Sequence, residues 1–192
     1  MKKALLIPGW EESITQVAWE LIVNKLRASG YQVLDGRPDW DNGTHSDWLK
    51  EIEAKYSHNK FDLVIGHSFG AMLAFKLASK VKIQKLILCS LSPWFAEDVP
   101  DMREEWKAMV GLEIIKDVSS NFIFKDLYRL VEDNVDLVVN IKGADESDEI
   151  RRRFDEVNAK LCPTVINIPN IGHALEERLY VNAVLELLDT IM

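Results

Sequence analysis

The sequence predicts an α/β protein, a parallel sheet with helices on both faces, and two observations predict it. Six short apolar runs, at 4–7, 31–34, 61–65, 85–89, 135–141 and 164–168, are continuous rather than alternating, as strands buried on both faces are. Helical spacing of apolar residues fills most of the intervals between them, the alternation that builds parallel sheets.

The first run, Ala4-Leu5-Leu6-Ile7, stops at Pro8-Gly9. Ser13 and Gln16 then read as a capping-box pair, with Ile14, Val17, Ala18, Leu21, Ile22 and Leu26 as the apolar stripe and Gly30 as the stop. A last helix is expected over about 174–191, with Leu175, Leu179, Ala183, Leu187 and Ile191 on one side. Glu176 and Glu177 would occupy its first turn, where they suit the positive end of the dipole. Between Pro93 and Asn134 the chain is longer than one crossover needs. Asp101-x-x-Glu104 opens one helix there, through Val110 to Gly111, and a second runs from Ser119 or Ser120 to Asp133. One suffices to cross between strands, so the other is expected to form a small lid. Neither repeats nor linkers interrupt the 192 residues, which read as one domain with a short lid insertion at about 93–118.

Composition removes several classes. Lys and Arg number 23 against 31 Asp and Glu, for a net charge of −8, and the longest basic run is Arg151-Arg152-Arg153. A nucleic-acid binder would carry a basic stripe, and none is expected here. No segment approaches the ~18 apolar residues of a membrane span, and the first apolar run is too short for a signal-peptide core. A cytoplasmic protein is the expectation. Cys89 and Cys162 lie in apolar stretches and read as small core residues rather than a disulfide framework.

The chemistry is carried by Gly66-His67-Ser68-Phe69-Gly70. With 9 Gly and 11 Ser in the chain, G-x-S-x-G is expected by chance only ~0.02 times. An apolar run precedes it and a helical pattern follows, the context of a nucleophile elbow. A serine hydroxyl needs a base, and the base needs an orienting carboxylate. Of the four histidines, His67 lies inside the elbow, His58 at the wrong end of the sheet, and His45 too early in the chain. His173 follows the sixth run and fits the order Ser, acid, His. The acid is expected after the fifth run, within Lys142-Gly143-Ala144-Asp145-Glu146-Ser147-Asp148-Glu149. Asp145 is the choice, with Glu146 and Asp148 as rivals. The oxyanion hole needs two backbone N–H groups, assigned to Phe69 and, after Pro8-Gly9, to Trp10.

Through Pro8-Gly9-Trp10, the Gly66–Gly70 motif, Gly143 with Asp145, and Gly172-His173, nearly the whole chain resembles the α/β-hydrolase fold. The resemblance implies sheet order 2-1-3-4-5-6 and a match that begins at the family's third strand. It also implies an oxyanion hole, nucleophile, acid and base at the residues named above. Two departures stand out. Pro8-Gly9 replaces the family's His-Gly, and the family acid often falls three residues after its glycine, which is Glu146 here. Pro8-Gly9-Trp10 and Ser92-Pro93-Trp94-Phe95 are locally similar to carboxylesterases acting on the methyl ester of pimeloyl-acyl-carrier protein.

The expected function is hydrolysis of a small carboxylic ester through an acyl-serine. A thioesterase or lactonase would use the same machinery, and a non-catalytic binding protein would have lost a member of it. No metal or organic cofactor is implied, the only expected partner is a small-molecule ester, and the oligomeric state is open. Trp10, Trp40 and Trp94 follow strand ends, joined by Phe69 and Phe95. Trp94, Phe95 and Trp106, the last on the lid helix with Met102 and Met109, are the expected substrate pocket.

Overall fold

The computed structural model describes residues 1–91, 99–100, 102, 104–120, 127–161 and 163–192. The elements are β1 (Lys2–Ile7), α1 (Val17–Ala28), β2 (Tyr31–Asp35), α2 (His45–Tyr56), β3 (Phe61–His67), α3 (Phe69–Ala78) and β4 (Ile83–Cys89). There follow α4 (Glu104–Val110), α5 (Leu112–Ser120), α6 (Tyr128–Asn134), β5 (Val135–Gly143), α7 (Asp148–Leu161), β6 (Thr164–Ile168) and α8 (Arg178–Ile191). All six strands are parallel, in the expected order β2-β1-β3-β4-β5-β6.

Strand pleating sends alternate residues to opposite faces, and each face closes its own core. Leu5, Ile7, Val64, Leu86 and Leu88 join side chains of α2, α3, α6 and α7 in one. Ala4, Leu6, Leu63, Ile65, Ile87, Cys89, Val139 and Ile141 join α1 and α8 in the other. This double burial is why the strand runs are continuously apolar. Each fully buried Leu, Ile or Val adds about 1.5–3 kcal/mol before the entropy of ordering is subtracted.

Two helices start later than the sequence suggests. Ser13 and Gln16 do meet, Ser13 N–H donating to Gln16 Oε1 at 3.3 Å, but they close a turn, and α1 begins at Val17. Its inner face is Ala18, Trp19, Ile22, Val23 and Leu26, while Val17 and Leu21 are exposed. The Trp19 indole N–H donates to Glu12 at 3.0 Å, which helps set that rotation. Residues 174–177 also form a turn, so Glu176 and Glu177 precede α8. There Tyr180, Val181, Val184 and Leu188 face inward, and Leu179 does not. The Tyr180 hydroxyl anchors this face by donating to the Ile141 carbonyl at 3.0 Å.

In the lid region the helix through Val110 is present, and Gly111 takes φ 81°. Of the expected second helix, α6 covers the C-terminal part, residues 121–126 lie outside the described ones, and α5, ending at Ser120, is a helix the sequence reading did not include. Met102, Val110 and Ile114 pack into the core on the α3 side. On α2, Ser46 N–H and Oγ–H both donate to the Asp117 carboxylate of α5, at 2.9 and 2.6 Å. Trp94 and Phe95, Cys162, and the side chains of Trp106 and Met109 lie outside the described residues. Among the described residues no helix is long and apolar enough to cross a membrane.

Candidate active site

All six strands are parallel, so their C-terminal ends lie at one edge of the sheet, where α/β sheets bind ligands. β3 lies between β1 and β4, and its last residue, His67, is followed directly by Ser68 and α3. Ser68 adopts φ 52° and ψ −119°, a left-handed conformation that costs a non-glycine residue of order 1–3 kcal/mol. The flanking glycines make the turn possible. A Cβ at Gly66 would lie 2.5 Å from the Gly70 carbonyl oxygen, and one at Gly70 would lie 2.0 Å from that of Ile7. The sequence thus folds locally as an elbow because only hydrogen fits at both positions.

Ser68 Oγ lies 2.8 Å from His173 Nε2, and His173 Nδ1 lies 2.9 Å from Glu146 Oε2. The Glu146 side chain is fully buried, whereas that of His173 is 38% exposed. A buried carboxylate thus faces inward while the imidazole edge reaches the solvent side. Burial pushes the Glu146 pKa up, but the His173 hydrogen bond and charge, the Ser90 hydroxyl and the His67 charge together hold it below 4.5.

Glu146, not Asp145, therefore meets the histidine. Asp145 is exposed, in a turn with Ala144. Its backbone N–H donates to the Ile171 carbonyl at 2.9 Å, and that of Ala144 to Ile168 at 2.8 Å. These bonds lace the β5 loop to the His173 loop and leave the Asp145 side chain outside, so the next residue turns in. Asp148, the other rival, opens α7 and pairs with Arg151.

Trp10 and Phe69 line a cavity of about 380 Å³ with Ser68, His173, Ala174 and Glu176. Their rings lie 5.3 Å apart. Intrahelical bonding in α3 begins with Ala71 and Met72 N–H to the Ser68 carbonyl, so Phe69 N–H lies ahead of the ladder at the positive helix end. His45 backs this wall, its ring 4.7 Å from that of Phe69, and burial lowers its pKa to about 3. Trp40 is a core residue, packed edge-on against Trp48 at 4.8 Å.

Sequence reasoning missed Glu12. Its carboxylate accepts from Gly9 N–H at 2.7 Å and lies 2.8 Å from His67 Nδ1, the oxygen off the axis of that N–H. His67 Nε2 lies 2.9 Å from the His173 carbonyl. Both neighbours of the ring only accept, so both favour the imidazolium. Burial works against that charge, but the Glu12 hydrogen bond and charge, the His173 carbonyl and the Glu146 charge raise the His67 pKa above 6.5. Burial likewise opposes ionisation of Glu12, and His67, Gly9 and Trp19 bring its pKa below 4.5. The only sequence signal was an acidic residue three positions after Gly9.

Stability should follow these shifts. Glu12 and Glu146 have depressed folded-state values, so what they contribute is present above pH 4.5 and lost as pH falls through those values. His67 acts oppositely, contributing below pH 6.5 and losing that contribution as pH rises through its raised value. The thermal midpoint is expected to fall on acidification below pH 4.5, and less steeply in Glu12→Gln. Thermal unfolding across pH 3–7 (a range of about 4 units) checks this; parallel curves for the two proteins would remove Glu12 from the explanation.

The family described as serine hydrolase matches residues 4–109, more than half of the chain and the elbow with it. The chain belongs to the serine hydrolase family. Among solved structures this hydrolase is similar to the ydeN gene product from B. subtilis, at 17% identity and TM-score 0.73, covering 99% of this chain and 98% of that one. Est1E from Butyrivibrio proteoclasticus matches at 15% identity and TM-score 0.75, over 98% and 87%. The thioesterase domain from the curacin biosynthetic pathway matches at 17% and TM-score 0.62, over 98% and 91%. At these identities the likeness establishes the fold, and the hydrolase has the α/β-hydrolase fold. A search of the curated proteins finds no match.

Proposed function

We propose that the hydrolase cleaves a small carboxylic ester through an acyl-Ser68 intermediate, with Ser68, His173 and Glu146 as its catalytic triad. The observation that carries this reading is the unbroken relay Ser68 Oγ–His173 Nε2, His173 Nδ1–Glu146 Oε2, opening on a partly apolar cavity. Ser68 Oγ attacks the ester carbonyl carbon while its proton passes to His173 Nε2. Glu146 keeps the proton on Nδ1 and stabilises the imidazolium. Phe69 and Trp10 N–H groups bind the oxyanion. The tetrahedral intermediate collapses, the C–O bond to the leaving group breaks, and His173 returns its proton to the departing alcohol. Water, activated by the same imidazole, then releases the carboxylic acid and restores Ser68.

The cavity wall of Trp10 and Phe69 suits an apolar acyl group. Glu11 and Glu176 also line the cavity, and with the chain's net charge of −8 they disfavour anionic leaving groups. This favours simple esters over acyl-carrier thioesters, although a thioester or lactone would pass through the same steps. The segment 93–118 is the lid in this reading.

Reaction with a fluorophosphonate, followed by peptide mapping, tests the proposal. The expected adduct is on Ser68 and blocks hydrolysis of p-nitrophenyl acetate and butyrate. Adduct elsewhere with Ser68 unmodified would remove the mechanism.

A further inference from the structure

Trp10 N–H can serve an oxyanion only if the backbone of the loop after β1 is held in one orientation. That loop is short, leaves the strand at Pro8, and passes through Glu11 at φ 62°, a strained position for a side chain with a Cβ. Glu12 closes it from both sides. The Glu12 backbone N–H donates to the Gly9 carbonyl at 3.0 Å, and the Glu12 carboxylate accepts from Gly9 N–H at 2.7 Å. In a trans peptide the carbonyl and the following N–H point in opposite directions, and no peptide bond is cis among the described residues. Holding the Gly9 carbonyl therefore aims Trp10 N–H away from Glu12. A Cβ at Gly9 would come within 3.0–3.1 Å of the Glu12 carboxylate, so glycine is what lets the acid approach.

The carboxylate also has a second partner. Its Oε1 lies 2.8 Å from His67 Nδ1, and His67 precedes Ser68 in the chain. Nε2 of the same ring bonds the His173 carbonyl at 2.9 Å. The His67 side chain is 2% exposed, so water does not compete for either contact. Glu12 Oε2 is further steadied by the Trp19 indole N–H at 3.0 Å, which ties the assembly to α1.

We propose that Glu12 is a positioning residue. Through its clamp on Gly9 and its ion pair with His67, it sets the Trp10 oxyanion donor in register with the loops carrying Ser68 and His173. The proposal rests on Ser68 being the nucleophile. Glu12 borders the cavity, and its carboxylate is committed to Gly9, Trp19 and His67, through which it acts.

Three variants test it, with p-nitrophenyl butyrate hydrolysis and the rate of Ser68 labelling by a fluorophosphonate as readouts. Glu12→Ala frees Gly9 and removes the His67 counter-charge. It is expected to lower kcat by about 10²–10³, the cost of losing one oxyanion donor, with KM within about threefold. Glu12→Gln keeps an oxygen for Gly9 and Trp19 and turns its amide to a neutral His67. It is expected to restore kcat to within about tenfold of wild type. Gly9→Ala leaves Glu12 in the chain but pushes its carboxylate away, and should lower kcat in the same sense, which covers the case in which Glu12→Ala does not fold. A folded Glu12→Ala with wild-type kcat would overturn the proposal. So would a loss confined to KM, or a Glu12→Gln as impaired as the alanine variant. If wild-type Ser68 itself takes no label, the failure belongs to the proposed function and not to Glu12.

Discussion

Glu146→Gln is expected to lower kcat by about 10⁴-fold, and Asp145→Asn to leave it within about twofold. The two side chains are adjacent in sequence and opposite in environment. Glu146 is fully buried with Oε2 2.9 Å from His173 Nδ1. An amide there no longer favours the tautomer that leaves Nε2 free to take the Ser68 proton, and it cannot balance the imidazolium that forms. Asp145 faces solvent, and the contact that its backbone makes, to Ile171, survives the substitution. Steady-state kinetics on the two variants, with thermal unfolding to show that both are folded, checks the pair. Comparable losses in both would mean that the loop, rather than one carboxylate, sustains activity.

Ser68→Ala is expected to lower kcat by about 10⁶-fold while leaving the thermal midpoint nearly unchanged. The combination separates a nucleophile from a structural serine. A serine preceding a helix commonly caps it, and losing such a cap costs about 1 kcal/mol. Ser68 makes no side-chain capping bond to α3, and its Oγ is directed to His173 instead. Alanine tolerates φ 52° no better than serine does, so the strain is the same in both proteins. A variant that unfolds by several kcal/mol, or that keeps more than a percent or so of activity, would argue against this assignment.

How far the sequence discloses these features depends on the range of the interaction. Strand identity is readable because the inner strands β1, β3, β4 and β5 are mostly buried on both faces, which leaves apolar runs in the chain, and the sheet order follows from the family resemblance. Ser68 and His173 are readable because the elbow is a local motif and the base follows a strand end. The acid is not, because Asp145, Glu146 and Asp148 are chemically alike and only the turn at 144–145 decides which one faces in. The helix starts are misread for a related reason. Ser13 with Gln16, and Glu176 with Glu177, are good helix-opening residues that here belong to turns before α1 and α8. The inner faces of those helices follow their anchors, Trp19 on Glu12 and Tyr180 on Ile141, not the longest apolar stripe. Least legible is half-buried Glu12 with buried His67, a pair joined across 55 positions of sequence, where no local pattern signals the contact.

The account's central claim is that Ser68 carries the acyl group, and a pre-steady-state experiment reads it directly. Mixing the hydrolase with p-nitrophenyl butyrate at low pH, where deacylation is slowed, should release a burst of p-nitrophenol stoichiometric with enzyme. Quenched protein should then gain the mass of one butyryl group, and peptide mapping should put it on Ser68. Turnover with no acylated protein at any quench time, or with the butyryl group on another residue, would contradict the account.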